Sequence, residues 1–488
     1  MTQQRVKGSY ALISLGCPKN LVDSERMAGL LRLDGYVLVP KPEGADFVVI
    51  NTCGFIGDAR SESHAVIREM LALKRRRRIR GVIVTGCLAE RDKEKLLQAY
   101  PEIDQLVGVF GRDEIATSVH RLRPAAKTPA SSSDSPPSVK ASPLPWGGPA
   151  GAAATASPLG GLEEQRTLFR PAPTRPLPDT ARLRITPPHL AYLKIAEGCN
   201  RTCSFCSIPH MRGPYASKLI EEVVAEAEEL AADGARELVL VAQDTSSYGL
   251  DLYGEPRLAE LLRRLDQVDG LAWIRLMYLY PMYITDELLR VISSGKRILP
   301  YLDLPLQHID DEVLGRMRRQ VNRAQTEELL DRLRGRIERL VLRTTLIAGF
   351  PGETQGQFEA LVDFVRRRRF ERLGVFTYSE ELDTSAASLD GALPEDVKAA
   401  RRDRLLAVQQ EIAFAWNEAQ VGRQMEVIID CQVPGEPHAF LGRTYADAPE
   451  VDGAVYVTGE NLAPGQLTPC EIVAARGYDL IAVPVERD

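Results

Sequence analysis

The 488 residues contain no run of eighteen or more apolar residues, so no segment is long enough to cross a bilayer as a helix. The amino terminus passes from YALISLG straight into Cys-Pro-Lys-Asn with no small-residue cleavage site, so a secretory signal is not expected. A cytoplasmic protein without a membrane partner is the expectation. Eight cysteines are too few for a disulfide scaffold, and a reducing compartment leaves thiols free to bind metal. Lysine is missing from residues 421–488, where four arginines face eleven carboxylates. That segment carries −7 of a total of −6, leaving residues 1–420 at +1.

What is present reads as a soluble globular chain, with 44% hydrophobic and 26% charged residues and a length that suits about three domains. Residues 6–123 repeat one pattern three times: a β-rich apolar run, a cysteine, then an amphipathic helical stretch. This predicts an open parallel α/β domain with Cys17, Cys53 and Cys87 at the carboxyl ends of strands, where such sheets place their sites. Residues 124–184 are expected to be a disordered linker, because residues 124–180 hold 12 of the 32 prolines and show no hydrophobic period. As a coil it would span on the order of 40 Å and could tether domains without fixing their geometry. Six strand-helix units in residues 185–420, from LAYLKIAEG to RLGVFTYS, predict a partial (β/α) barrel. Short β-rich runs broken by Gly and Pro predict a small antiparallel β barrel over 421–488.

Six of the eight cysteines form two sets of three. Cys199, Cys203 and Cys206 share one short loop, EGCNRTCSFCSIPH, after the first barrel strand. Iron-sulfur clusters normally take four thiolates, so a cluster held by three keeps one iron open, as a catalytic metal site does for its substrate. A zinc site completed by His210 is the competing reading. Cys17, Cys53 and Cys87 can meet only through the fold, and the helices that follow them favour thiolates and an anionic cluster. Cys431 and Cys470 lie in β runs and are expected to be inert core residues.

The C-x3-C-x2-C loop, with Phe205 before its last cysteine, resembles the radical S-adenosylmethionine superfamily. Two incomplete cysteine sets followed by a small β barrel resemble its methylthiotransferases, with a cluster domain, a radical barrel and a TRAM domain. The resemblance implies two 4Fe-4S clusters, S-adenosylmethionine, a catalytic role for Cys199, Cys203 and Cys206, and an electron donor such as flavodoxin or ferredoxin. It also implies that the auxiliary cluster carries the sulfur while the other cluster generates a radical from S-adenosylmethionine. Gln243, Gln307 and Glu353, with neighbouring His308, end strands where such barrels hold S-adenosylmethionine. Glu353 could equally belong to a loop and helix cap.

SLGCPKNLVDSERM and GRTYADAPEVDG resemble the branch that modifies an aspartate β-carbon of small-subunit ribosomal protein twelve. The alternative is the branch acting on tRNA adenosine, and a noncatalytic iron-sulfur electron carrier or redox sensor is a third class. An acidic carboxy-terminal surface, including Asp447, Glu450 and Asp452, would repel RNA and attract a basic ribosomal protein. The basic runs KRRRRIR at 74–80 and RRRR at 366–369 read as solvated faces that leave RNA contact open.

Overall fold

A computed structural model describes residues 6–122 and 166–485. The first sheet has strands Gly8–Ser14 (β1), Tyr36–Leu38 (β2), Phe47–Thr52 (β3), Gly81–Gly86 (β4), Gln105–Val107 (β5) and Thr167–Leu168 (β6). They are parallel in the order β2-β1-β3-β4-β5-β6. β3 and β4 are buried along their whole length, which is why their sequences are continuous apolar runs rather than alternating ones. Helices Pro18–Leu33 (α1), Gly57–Arg75 (α2) and Cys87–Asp92 (α3) follow β1, β3 and β4.

The second sheet contains Leu190–Lys194 (β7), a two-stranded ladder of Ala196–Glu197 (β8) and Ala216–Ser217 (β9) standing beside it, and then Glu237–Val241 (β10), Trp273–Leu276 (β11), Ile298–Asp303 (β12), Val341–Ala348 (β13) and Arg372–Thr377 (β14). Its six parallel strands run β14-β13-β12-β11-β10-β7 and match the six apolar runs in the sequence. A closed five-stranded barrel follows, built from Gln424–Gln432 (β15), Ala439–Arg443 (β16), Val455–Thr458 (β17), Leu467–Arg476 (β18) and Asp479–Pro484 (β19). The expected α/β class, partial barrel and small β barrel are therefore all present, although the last barrel is not wholly antiparallel as expected, because β17 and β19 pair in parallel. No helix among the described residues is long and apolar enough to cross a membrane.

Residues 123–165, most of the expected linker, lie outside the described residues. Its carboxyl part departs from expectation. β6 adds to the edge of the first sheet, and Asp179 and Arg182 are buried. Tertiary pairing and buried charge order this Pro-rich stretch without any local period. Arg121 Nη1 reaches Thr167 O at 3.4 Å, so the two ends of the intervening segment meet. Replacing residues 126–160 by about ten Gly-Ser residues should therefore preserve fold and activity, because loop closure depends only weakly on length. Replacing 166–184 should abolish both, as thermal unfolding and product assays would read.

The carboxy-terminal barrel plugs the inner face of the partial barrel. Arg443 Nη1 reaches Glu237 at 2.6 Å, Arg275 Nη1 donates to Tyr445 O at 2.8 Å, and Arg372 Nη2 donates to Asp447 at 2.7 Å. Tyr301 donates its hydroxyl to Asp452 at 2.6 Å. This corrects the expectation for the acidic face, because Asp447 and Asp452 are spent on this interface and only Glu450 of the three is exposed. Asp447→Lys should strand the buried Arg372 and cost about 3–5 kcal/mol. Glu450→Lys should stay within about 0.5 kcal/mol in the same denaturant titration.

Candidate active site

Strand order explains how three cysteines 36 and 34 positions apart come together. β1, β3 and β4 are neighbours, so their carboxyl ends line up, with Cys17 in the turn after β1, Cys53 directly after β3 and Cys87 opening α3. The turns pack too closely for side chains. Gly16 has φ +86°, and a Cβ there would stand 2.8 Å from Cys53 Cβ. Asn20 ties the three turns together. Its Nδ2 donates to Leu15 O at 2.8 Å and Thr52 O at 3.0 Å, and its Oδ1 lies 3.8 Å from Cys87 Sγ.

The second set lies on the loop between β8 and β9. Cys199 N donates to Gly213 O at 3.1 Å and Cys206 N to Cys203 O at 3.1 Å, which closes the loop on itself. Ser204 anchors it to the barrel through Arg316 O at 2.7 Å. Arg201 and Arg319 sandwich the Tyr280 ring at 4.0 and 4.1 Å, and Arg319 Nη1 approaches Cys203 Sγ at 3.6 Å.

All six thiols line one cavity of about 340 Å³ between the amino-terminal domain and the mouth of the partial barrel. No histidine or carboxylate lines it among the described residues. His210 is exposed, is not among the residues lining this cavity, and borders a neighbouring depression of about 480 Å³ that Cys199, Cys203 and Cys206 also line. A larger depression of about 750 Å³, near His189 and Gln466 at the junction with the carboxy-terminal barrel, holds no cysteine.

Gln243 and Gln307 line the cavity. Gln243 Nε2 donates to Glu197 at 3.1 Å, while its Oε1 is buried without a partner among the described residues. Gln307 adopts φ +72°, a strained conformation of the kind that gathers at ligand sites. Glu353 is not among the lining residues. Its carboxylate accepts from Gly349 N at 2.6 Å and Phe350 N at 3.1 Å and pairs with Arg401 at 3.0 Å, so it braces the GFPGE turn. His308 is likewise structural: its Nδ1 accepts from Asp310 N at 3.0 Å, and burial pushes its pKa down to about 3. Cys470 is buried, whereas Cys431 is exposed, contrary to its expected place in the core.

Burial pushes the thiols of Cys87 and Cys206 up to about 12 and that of Cys199 up to about 11. Bare, these groups are neutral, and taking up metal would release their protons. Arg212 Nε stands 3.3 Å from Cys87 Sγ, and with Arg319 it supplies positive charge beside both sets. Three cysteines per set with a cation beside each suit an anionic iron-sulfur cluster in composition and charge, while among the described residues no three such side chains already stand close enough together to hold a metal ion.

The pose of the two domains is fixed by buried charge. Asp23 of α1 accepts from Lys194 Nζ at 2.6 Å and Arg212 Nη1 at 2.6 Å, and also pairs with Arg112. Burial alone would raise its carboxyl, but these three cations hold it well below the usual carboxylate range. Glu25 accepts from Ile185 N at 3.0 Å and pairs with Arg182 at 3.5 Å. A second clamp joins Arg91 to Glu381 at 2.9 Å on the far side of the mouth.

Sequence reasoning missed Lys19, Asn20, Asp23 and Arg212. The first two directly follow Cys17-Pro18 at the start of α1, the one local signal that could have marked them. Asp23 and Arg212 have no local signal, because their roles exist only across the domain junction.

Comparison with known proteins agrees with this geometry. Residues 9–108 match the uncharacterized protein family UPF0004, residues 193–365 the radical SAM superfamily, and residues 421–485 the TRAM domain. The solved structure of TsrM, a radical S-adenosylmethionine methyltransferase from Kitasatospora setae, shares the fold at a TM-score of 0.50 and 15% identity, covering 78% of this chain and 77% of that one. Among curated proteins, the ribosomal protein uS12 methylthiotransferase RimO of Lachnoclostridium phytofermentans is 42% identical over 96% of this chain and 98% of its own length. The protein of the same name from Symbiobacterium thermophilum is 43% identical over 97% of this chain and 90% of its own. Likeness at this level, along nearly the whole of both chains and through all three folded parts, places this chain in the ribosomal protein uS12 methylthiotransferase family.

Proposed function

We propose that the chain is a radical S-adenosylmethionine enzyme that adds a methylthio group to the β-carbon of an aspartate in small-subunit ribosomal protein twelve. The observation that carries this reading is the single cavity bordered by both three-thiol sets. The radical SAM match supports S-adenosylmethionine and one iron-sulfur cluster, which we assign to Cys199, Cys203 and Cys206. A second cluster is assigned to Cys17, Cys53 and Cys87. When bound, these groups supply the one-electron chemistry, the sulfur and the methyl group.

The chain supplies positions. The cysteines hold the irons, Arg212 and Arg319 offset the negative charge, and the unpaired Gln243 Oε1 offers an acceptor to a bound ammonium. Residues 6–122 and 185–420 face each other across the cavity, with 166–184 packed between them, and 421–485 close the opposite side. Phe55 and Phe376 are half-exposed where they line the mouth, an apolar rim suited to a protein loop. A flavodoxin- or ferredoxin-class electron donor and a place in the cytoplasm complete the proposal.

The basic runs are only partly free for RNA, because Lys74, Arg75 and Arg80 of the first and Arg366, Arg367 and Arg368 of the second are paired within the chain, while Arg76, Arg77 and Arg78 stay exposed. Lys74 pairs with Asp104 at 2.6 Å, Arg75 with Glu102 at 2.5 Å, Arg80 with Asp46 at 3.1 Å and Arg367 with Glu327 at 3.2 Å. Mass spectrometry of small-subunit proteins and tRNA hydrolysates from a deletion strain tests the assignment. Loss of the methylthio group from protein twelve alone is the expected result, and loss from tRNA would overturn it.

A further inference from the structure

The cations around the cavity are not equivalent. Arg212 and Arg319 approach thiols, and Arg201 pairs with Asp244 at 2.8 Å. Lys19, at the first turn of α1, is 7% exposed and lines the same cavity. Its Nζ stands 3.3 Å from the centroid of the Tyr278 ring, and among the described residues it has no hydrogen bond or ion pair. Of the groups that can carry negative charge, the Cys17 sulfur two residues away acts on it most strongly, and the surrounding carboxylates are already committed. Asp303 takes Arg343 at 3.1 Å and Tyr278 N at 3.0 Å, and Glu197 takes Lys194 at 2.9 Å and Gln243 at 3.1 Å. Asp23 holds Lys194 and Arg212.

A buried ammonium that no carboxylate pairs is costly, and a ring face offsets only part of that cost. The ring itself is held at some expense. Tyr278 has φ +60°, a conformation that a bulky residue adopts only where its surroundings force it. Here Asp303 takes its N–H, and Thr245 N donates to its carbonyl at 3.0 Å. Two independent features, a cation with no carboxylate partner and a strained aromatic beneath it, therefore meet at one point in the cavity that both cysteine sets line. Lys19 comes from the amino-terminal domain and Tyr278 from the barrel, so the pair exists only when the two are docked.

We propose that Lys19 and Tyr278 form the seat for the side-chain carboxylate of the substrate aspartate. This deepens the function proposed above and rests on it. The β-carbon is bonded directly to that carboxylate, so gripping the carboxylate fixes the reacting carbon one bond away, between the two sets of thiols. Asparagine has the same shape without the charge, and adenine has no carboxylate, so the seat also confers specificity. Bound S-adenosylmethionine carries a carboxylate of its own and is the other possible source of the same chemistry.

The test uses the full chain with both clusters reconstituted, and fluorescently labelled synthetic peptides that carry the target loop of ribosomal protein twelve with Asp or Asn at the modified position. Anaerobic anisotropy measures binding with and without S-adenosylmethionine, and iron content verifies each variant. Wild-type protein should bind the Asp peptide about tenfold more tightly than the Asn peptide, the size expected of a charge-assisted contact. Lys19→Gln should bring that ratio close to one and leave S-adenosylmethionine affinity unchanged, and Lys19→Arg should recover part of it. If Lys19→Gln fails to hold iron, Tyr278→Leu reads the same seat from the barrel side, with a drop in the ratio of about threefold expected from a weakened cation–π contact. An Asp/Asn ratio equal in wild type and variant overturns the proposal. So does a loss confined to S-adenosylmethionine binding without peptide, which assigns the seat to that carboxylate. Wild-type protein that binds neither peptide overturns the substrate reading, and the seat falls with it.

Discussion

Replacing Cys199, Cys203 and Cys206 together by Ala should leave about four of about eight irons per chain and abolish both cleavage of S-adenosylmethionine and methylthiolation. Replacing Cys17, Cys53 and Cys87 should remove the other four irons and all product, yet leave reductive cleavage to 5'-deoxyadenosine running. The asymmetry follows from the structure. Cys199, Cys203 and Cys206 sit on the loop between β8 and β9, beside the ends of other barrel strands that present Gln243 and Gln307, whereas Cys17, Cys53 and Cys87 belong wholly to the facing domain. Iron analysis and chromatography of the nucleoside product separate the outcomes. Simultaneous loss of both activities in the second variant, with four irons retained, would mean that the two sets do not divide the chemistry in this way.

Asp23→Asn should produce the largest effect of any single substitution outside the cysteines. It keeps the shape of the side chain and removes the charge that Lys194, Arg212 and Arg112 share in a buried network. Breaking a buried pair from one side costs about 3–5 kcal/mol, because the partners remain buried without compensation. Since the same contacts dock the two domains, methylthiolation should fall by orders of magnitude even in chains that still hold iron. Asp113→Asn is the control. Asp113 pairs with Arg26 at 3.0 Å and reaches Arg112 only at 3.4 Å, nearer the surface, where such pairs contribute about 0–1 kcal/mol. The pH dependence has a definite sign. The folded value of Asp23 is depressed, so its contribution is complete at neutral pH and declines as pH falls below about 4. Wild type should lose stability over that range more steeply than the Asn variant.

The six barrel strands and both cysteine sets were legible because each carries a local mark. The strands are continuous apolar runs bounded by turns, and the cysteines recur at the same place in successive units. β6 was not legible, because two residues in a proline-rich stretch have no period and owe their conformation to the edge of β5. The acidic carboxy-terminal face was misread for a related reason. A charge count gives the number of carboxylates but not which are spent, and Asp447 and Asp452 face Arg372 and Tyr301 across a domain junction. Glu353 shows the limit for site residues. Its position after a strand suited a ligand contact, yet two backbone N–H groups and Arg401 claim its oxygens. Lys19 had only its nearness to Cys17 to mark it, because its significance lies in the Tyr278 ring brought to it by the fold.

One measurement bears most directly on the claim that both sets of thiols act on a single aspartate carbon. A synthetic peptide carrying the target loop of ribosomal protein twelve, deuterated only at the aspartate β-carbon, is incubated anaerobically with reconstituted protein, reductant and S-adenosylmethionine. The expected result is deuterium in the 5'-deoxyadenosine and a methylthio group at that carbon of the same peptide, in matching amounts. Methylthiolated peptide that keeps its full β-deuterium, or 5'-deoxyadenosine free of deuterium beside modified peptide, would contradict it.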